Sequence, residues 1–470
     1  MKRNNYIRAF VVLSLFIGLQ SCFVAKSYRQ PELQIEDQYR GVVTSDSVTL
    51  ASMPWQELFT DPYLNELIEV ALSENLDLLM AIERVKVAQA YYKQGKMERL
   101  PGLNLGASAG TYELSDNSLS GVAAQGNGPS YENYQLNASI SWEADIWGKL
   151  RSSKRAAQAA YLQSDASRRA VQSALVANVA SAYYQLLALD AQVKVASETV
   201  VNRKEGLETM KSLKNAGRVT EAAVKQTEAQ LYSTEILLVN LKQNVHLLEN
   251  TISLMIGKQS GTITRGTLSD QNATVDIEVG FPLQLLSNRP DVMAAEYGLQ
   301  RSFELTNVAR SNFYPSLSLS ANGGLESIDF DDWFNSNALF SNAIANLTQP
   351  LLNKRRVRTQ YEVAKAQQAE AKYNFRKTVL NAGNEVVNAL EAYKSEEQRY
   401  QLQLQEIKAL KEAVRYSEEL LNNAYQNTTY LEVLSARSNA LASEINTINS
   451  KYRQLNSLVE LYKALGGGWK

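Results

Sequence analysis

Proline is missing from two long stretches of this chain, Ser130 to Phe281 and Leu351 to Lys470, and this limits the possible folds more than any single motif does. Inside a helix, proline removes a hydrogen bond and clashes with the preceding turn, at a cost of ~3 kcal/mol or more. Both stretches are therefore open to very long helices. The whole chain has 470 residues and 9 prolines, well below the roughly 5% of average proteins. Val171, Leu175, Val179, Ala182, Leu186, Leu189, Val193, Ala196 and Val200 follow alternating steps of four and three, and Phe375, Val379, Ala382, Val386, Ala389, Tyr393, Glu396 and Tyr400 do so less purely. A pattern of this kind sustained beyond about 25 residues predicts coiled-coil packing. A single helix from Gly148 to Asn215 would rise about 100 Å. Asn215-Ala216-Gly217 and Asn422-Asn423-Ala424 mark the tips where two helical hairpins reverse, with Thr220 and Thr429 as caps of the returning helices.

The chain also repeats itself. Leu100-Pro101-Gly102-Leu103-Asn104-Leu105 lies over Tyr314-Pro315-Ser316-Leu317-Ser318-Leu319, and the same offset of 214 residues places Asp77 on Asp291. Ile146-Trp147-Gly148-Lys149-Leu150-Arg151 matches Leu351-Leu352-Asn353-Lys354-Arg355-Arg356. This is a duplication of one large unit that reads helix, strand, strand, long helix, helix. The expected strands, at about 101–114, 131–147, 315–328 and 338–352, alternate with period two. Leu136, Ala138, Ile140 and Trp142 share one face, Asn137, Ser139 and Ser141 the other, and Leu317, Leu319 and Ala321 alternate with Ser316, Ser318 and Ser320. Aromatic residues gather near the strand ends. Such alternation fits a membrane β-barrel or a sandwich with one wet face. If the strands span a membrane, four are too few to close a barrel, and the protein must be an oligomer.

At the N-terminus, Lys2, Arg3 and Arg8 precede the short apolar run Ala9 to Leu19. This is the layout of a signal peptide, and the run is too short for a transmembrane helix. Leu19-Gln20-Ser21-Cys22 resembles a bacterial lipobox, with Gln20 departing from its usual pattern; the lone cysteine, Cys22, would then become a lipid-bearing first residue. Formal charge is −1, which removes the electrostatic footprint of a nucleic-acid binder. One cysteine and one histidine exclude an internal disulfide, thiolate zinc and two-histidine catalysis. The methionines are too scattered to form a metal ladder, so no metal and no cofactor is expected.

Several residue groups stand out, and each has a structural reading. Asp61-Pro62 and Arg289-Pro290-Asp291 look like helix starts, with proline in the first turn, Asp61 as cap and Asp291 favoured by the helix dipole. Glu143 and Asp145 lie two apart at a strand exit beside Gly148, where stabilising a turn is the expected role, since no nucleophile or acid–base partner accompanies them. No enzyme activity is expected. His246, among leucines, reads as a packing residue, and Gly466-Gly467-Gly468 as a loose end.

Taken in order, Trp55-Gln56-Glu57-Leu58-Phe59, Asp61-Pro62-Tyr63-Leu64, Asn75-Leu76-Asp77-Leu78, Trp142 to Gly148, Arg289-Pro290-Asp291-Val292, Tyr314-Pro315-Ser316-Leu317 and Tyr430-Leu431-Glu432-Val433-Leu434 resemble the TolC-like outer-membrane factors, in their NodT-type efflux lipoprotein branch. The resemblance covers roughly residues 50 to 465. It implies a mainly α fold with a transmembrane β part. Long coiled-coil hairpins would form a periplasmic α-barrel, and four strands per chain would join a trimeric 12-stranded outer-membrane β-barrel. It further implies a passive exit duct in a tripartite efflux pump, a homotrimer set in outer-membrane lipid, docked by a periplasmic adaptor (membrane fusion) protein and an inner-membrane RND-type transporter. A non-channel trimeric coiled-coil lipoprotein, acting as a spacer or adhesin, is the alternative. The expected organisation is a signal peptide at 1–21, a lipidated extended segment at 22–54, repeats at 55–265 and 266–465, and a flexible end at 466–470. Some family members close the periplasmic mouth with polar residues near the hairpin tip, a region occupied here by Arg415, Tyr416, Glu418, Glu419, Asn422 and Tyr425. A ring of Glu418 or Glu419 would attract cations.

Overall fold

The computed structural model describes residues 24–31, 53–115, 130–272, 288–422 and 430–469. Its elements repeat in length as well as in order. Helices α1 (Pro62–Glu74) and α2 (Leu76–Met97) lead into strands β1 (Gly102–Glu113) and β2 (Ser130–Ala144), followed by helices α3 (Lys149–Asn215) and α4 (Glu221–Met255). The second half runs through α5 (Pro290–Ser311), β3 (Ser316–Ser327), β4 (Leu339–Thr348), α6 (Arg356–Asn422) and α7 (Tyr430–Ala464). Helices α3 and α6 each have 67 residues, and α4 and α7 each have 35.

The chain divides into two compact units, and both long helices α3 and α6 contribute residues to each. One unit holds the sheet. Its strands lie in the order β1-β2-β3-β4, antiparallel throughout, and the β2–β3 pairing joins the two repeats. Ile140 stands between Leu103 and Ala321, and Ala138 between Leu105 and Gly323. Ser139, one residue on, stands between Asn104 and Asn322. The register therefore gathers the apolar positions on one face and the Ser and Asn positions on the other, as period-two alternation requires. Leu105 and Leu347, on the apolar face, are 77% and 70% exposed, and among the described residues the outer edges of β1 and β4 have no strand partner. β2 ends at Ala144, and Asp145 to Gly148 form the turn into α3 where the sequence pattern suggested continuing strand.

The other unit is helical. Its core gathers Phe59, Leu64, Ile68, Val179, Tyr183, Leu186, Ile252, Leu455 and Val459. The seam expected along α3 is present at Leu175, Val179, Ala182 and Leu186, but Val176, Ala180, Tyr183, Tyr184, Leu187 and Ala188 are buried as well. α1, α4 and α7 all supply residues to the core around this stretch, so burial here is wider than a two-helix seam.

Candidate functional site

The strand-to-helix turn is built by Asp145. Its Oδ1 accepts the Leu150 N–H (2.9 Å), and its Oδ2 accepts the Arg151 N–H (3.0 Å) and Nε–H (3.1 Å). The carboxylate thus satisfies donors that the first turn of α3 leaves open. Gly148 has φ 78°, and a side chain there would bring a Cβ within 3.1 Å of the Ala25 Cβ. Ala25 belongs to Val24–Pro31, a segment laid along α5. Lys26 N–H donates to Asn307 Oδ1 (3.2 Å), Asn307 Nδ2–H donates to Lys26 O (2.9 Å), and Arg310 donates to Val24 O (3.3 Å). Cys22 lies outside the described residues, two positions before Val24.

Asp61 caps α1 as expected, its Oδ1 accepting the Tyr63 N–H (2.9 Å). It has a second role that the sequence did not signal: Oδ2 accepts from Tyr183 Oη (2.6 Å) and Gln271 Nε2 (2.7 Å). Burial and the hydrogen bond to Asp61 raise the Tyr183 pKa. Tyr183 Oη also accepts the Gly266 N–H (3.0 Å), so this buried hub ties the chain after α4 to α1 and α3. Asp190 and Glu249 hold Arg265 in the same loop, their hydrogen bonds raising its pKa against the opposing effect of burial.

Arg289, Pro290 and Asp291 do open α5. Arg289 is itself buried, forked onto both Asp291 oxygens (3.0 and 2.8 Å), paired with Glu385 (2.5 Å) and donating to Ala464 O (2.8 Å) at the last turn of α7. A cation at a helix C-terminus meets the negative end of the dipole. Burial works to lower the Arg289 pKa, but Asp291 and Glu385 outweigh it and the pKa is raised. The glycines after α7 correct the expectation of a loose end. Gly466 and Gly468 sit buried at φ 91° and 88°, and Gly467 O accepts from Ser173. A Cβ on Gly466 would come within 3.1 Å of Arg289, so glycine is needed here to let the chain close over it. His246 is a second correction: its side chain is 76% exposed, 3.5 Å from Glu249, because it sits on the outward side of α4.

At the tip of the second hairpin, Arg415, Tyr416, Glu418 and Glu419 all lie in the last two turns of α6. Arg415 stacks over the Tyr416 ring at 4.8 Å and stands 4.0 Å from Glu419. Glu418 instead reaches across the hairpin to Arg437 of α7 at 2.7 Å. Asn422 ends α6, and Tyr425 lies outside the described residues, as does the Thr429 cap. On the first hairpin the expected cap is present, Thr220 accepting the Ala223 N–H at 3.3 Å. Arg203 of α3 donates to Gln230 O (2.6 Å) and to Ser438 Oγ of α7 (3.4 Å), bringing the two hairpins together. Burial, and then the charge of Arg437, lower its pKa. The signal for Arg437 is its spacing, since Glu418–Arg437 and Lys411–Glu444 are both symmetric about a point between residues 427 and 428.

The model of the outer membrane efflux protein family matches residues 67–258 and 282–467, one block in each half of the duplication. The chain belongs to this family. It is similar to the solvent efflux pump outer membrane protein SrpC of Pseudomonas putida, 28% identical with 96% of each chain covered. It is also similar to the cation efflux system protein CusC of Escherichia coli K12, 27% identical with 96% of this chain and 97% of CusC covered. A crystal structure of CusC superposes with a TM-score of 0.83 at 26% identity, over 94% of this chain and 99% of CusC. The open-state channel MtrE of Neisseria gonorrhoeae shares the fold, with a TM-score of 0.85 at 24% identity over 96% of this chain and 99% of MtrE. The chain is the outer-membrane channel component of an efflux pump, and the spacer-or-adhesin alternative gives way to a channel.

Proposed function

We propose that three copies of this chain form a lipid-anchored exit duct, docked from the periplasm by an adaptor protein and an inner-membrane RND-type transporter. The observation that supports assembly is the four-stranded sheet with one apolar face and, among the described residues, two unpaired edges; the number three comes from the family resemblance, since two copies would also give enough strands for a barrel. Exposed edges and an exposed apolar face are tolerated together only where other strands and lipid cover them. Three copies give twelve strands, with the Ser and Asn face lining the lumen and the hairpin ends of the sheet facing outward.

The docking of Val24–Pro31 beside Gly148 supports lipidation of Cys22, because it holds the chain three residues from that cysteine at the level where strands give way to helices. Cys22→Ser should abolish acyl labelling of the protein while signal cleavage is bypassed or slowed; a parent protein that takes up no acyl label would end the proposal.

For the gate, the pairing of Glu418 with Arg437 leaves Glu419, 4.0 Å from Arg415, as the carboxylate with more field to offer passing ions. Glu419→Gln should lower the cation preference of single channels. An unchanged preference would take Glu419 out of the filter. The exported compound is a separate matter: the named relatives divide between solvents and cations at nearly equal identity.

A further inference from the structure

The β part of the chain carries charge of one sign. From Leu100 to Gly148 and from Ser311 to Asn353 there is no Lys, Arg or His, whereas Glu113, Glu132, Glu326, Asp329, Asp331 and Asp332 sit at or beyond the hairpin end of the sheet. A cavity of about 440 Å³ opens at that end, lined among others by Tyr131, Asn133, Glu326, Asp332, Asn335 and Asn337. Its size falls within the range of small-molecule sites, roughly 300–1,000 Å³.

The face of the sheet that it occupies follows from the register. Tyr131 and Asn133 alternate in phase with Gln135 and Asn137, and Glu326 pairs with Gln135. All of them stand on the polar face, the one assigned above to the lumen. The wall is rich in acceptors. Asn133 Nδ2 donates to Glu326 Oε1 (3.4 Å), while Asn133 Oδ1 is buried with no hydrogen-bond partner among the described residues. Glu326 and Asp332 add negative charge, and among the described residues no cationic side chain lines the cavity. Tyr131 supplies an aromatic wall, its ring stacked on Tyr112 with centroids 5.4 Å apart.

Acceptors, carboxylates and an aromatic face together suit a ligand with N–H donors, a positive charge and an apolar body. Anions meet only repulsion here. A neutral alcohol could donate one hydrogen bond, but it would lack the ion-pair attraction to the two carboxylates and the cation–π contact with the ring. We propose that this cavity is a transit subsite for organic ammonium cations at the exit end of the duct, a reading that rests on the polar face being the lumen.

The test is current block of the purified full-length protein in planar bilayers by benzylammonium, with benzyl alcohol as the neutral probe. Benzylammonium should block the parent channel in a concentration-dependent way, and benzyl alcohol should not. In Glu326→Gln/Asp332→Asn the half-blocking concentration should rise about tenfold, and Tyr131→Ala should shift it the same way while Tyr131→Phe leaves it near the parent value. Asp332→Asn alone lies in the loop after β3, outside the strand ladder, and should give a smaller shift in the same direction even if the double variant fails to assemble. Equal block of parent and Asp332→Asn, or block by benzyl alcohol at the same concentration, would overturn the subsite. A conducting channel without block refutes the subsite alone, whereas a protein that assembles but passes no current refutes the duct on which it rests.

Discussion

At the residue scale, the sequence motifs proved to be fasteners. Asp61 and Arg289 were readable as parts of helix starts, because proline at the first turn and a nearby carboxylate are local signals. Their second roles were not readable, since Tyr183 and Gln271 lie 122 and 210 positions from Asp61, and Ala464 lies 175 from Arg289. The same limit explains His246: leucine neighbours do not say which side of α4 faces out. Arg289 gives the clearest test. Removing a buried, hydrogen-bonded cation leaves its partners uncompensated, at about 3–5 kcal/mol for a fully buried pair. Here Asp291 and Glu385 are 41% and 57% exposed and can recover water, so Arg289→Ala should cost about 2–3 kcal/mol. Denaturant melts of the refolded protein would show this as a lower midpoint; a shift worth under about 0.5 kcal/mol, the level of an ordinary surface substitution, would remove the clasp role.

At the element scale, lengths were legible and couplings less so. Proline placement and the Asn-Ala-Gly and Asn-Asn-Ala breaks located the long helices and their ends, and alternation located the strands to within a few residues of Gly102–Glu113 and Ser316–Ser327. Alternation overran β2 because Ile146 continues its apolar rhythm into what is a turn held by Asp145. Pairing of β2 with β3 was invisible, since it joins residues far apart in the chain, such as Ile140 and Ala321. The two faces of β2 make opposite predictions. Ile140→Arg puts a charge on the apolar face, where the cost in lipid is about 2–4 kcal/mol at mid-depth, whereas Ser139→Arg puts it in the water-filled lumen. Outer-membrane fractions should contain Ser139→Arg at close to parent levels and much less Ile140→Arg. Equal abundance of the two would mean that the apolar face does not meet lipid.

At the scale of the whole molecule, the duplication explains why one chain supplies four strands and two hairpins, and why the sheet ends on two open edges. Each repeat contributes one strand pair, and each long helix is entered through left-handed backbone: Gly148 has φ 78° before α3, and Lys354 and Arg355 have φ 52° and 64° before α6. A sheet built this way cannot close by itself, and the chain's function as an outer-membrane channel depends on closure. The most direct measurement is therefore on the purified protein in planar bilayers, alongside unheated gel migration of the same sample. Discrete conductance steps are expected from a species that runs as a trimer and collapses to monomer on heating. A properly folded monomer that passes no current would contradict this expectation.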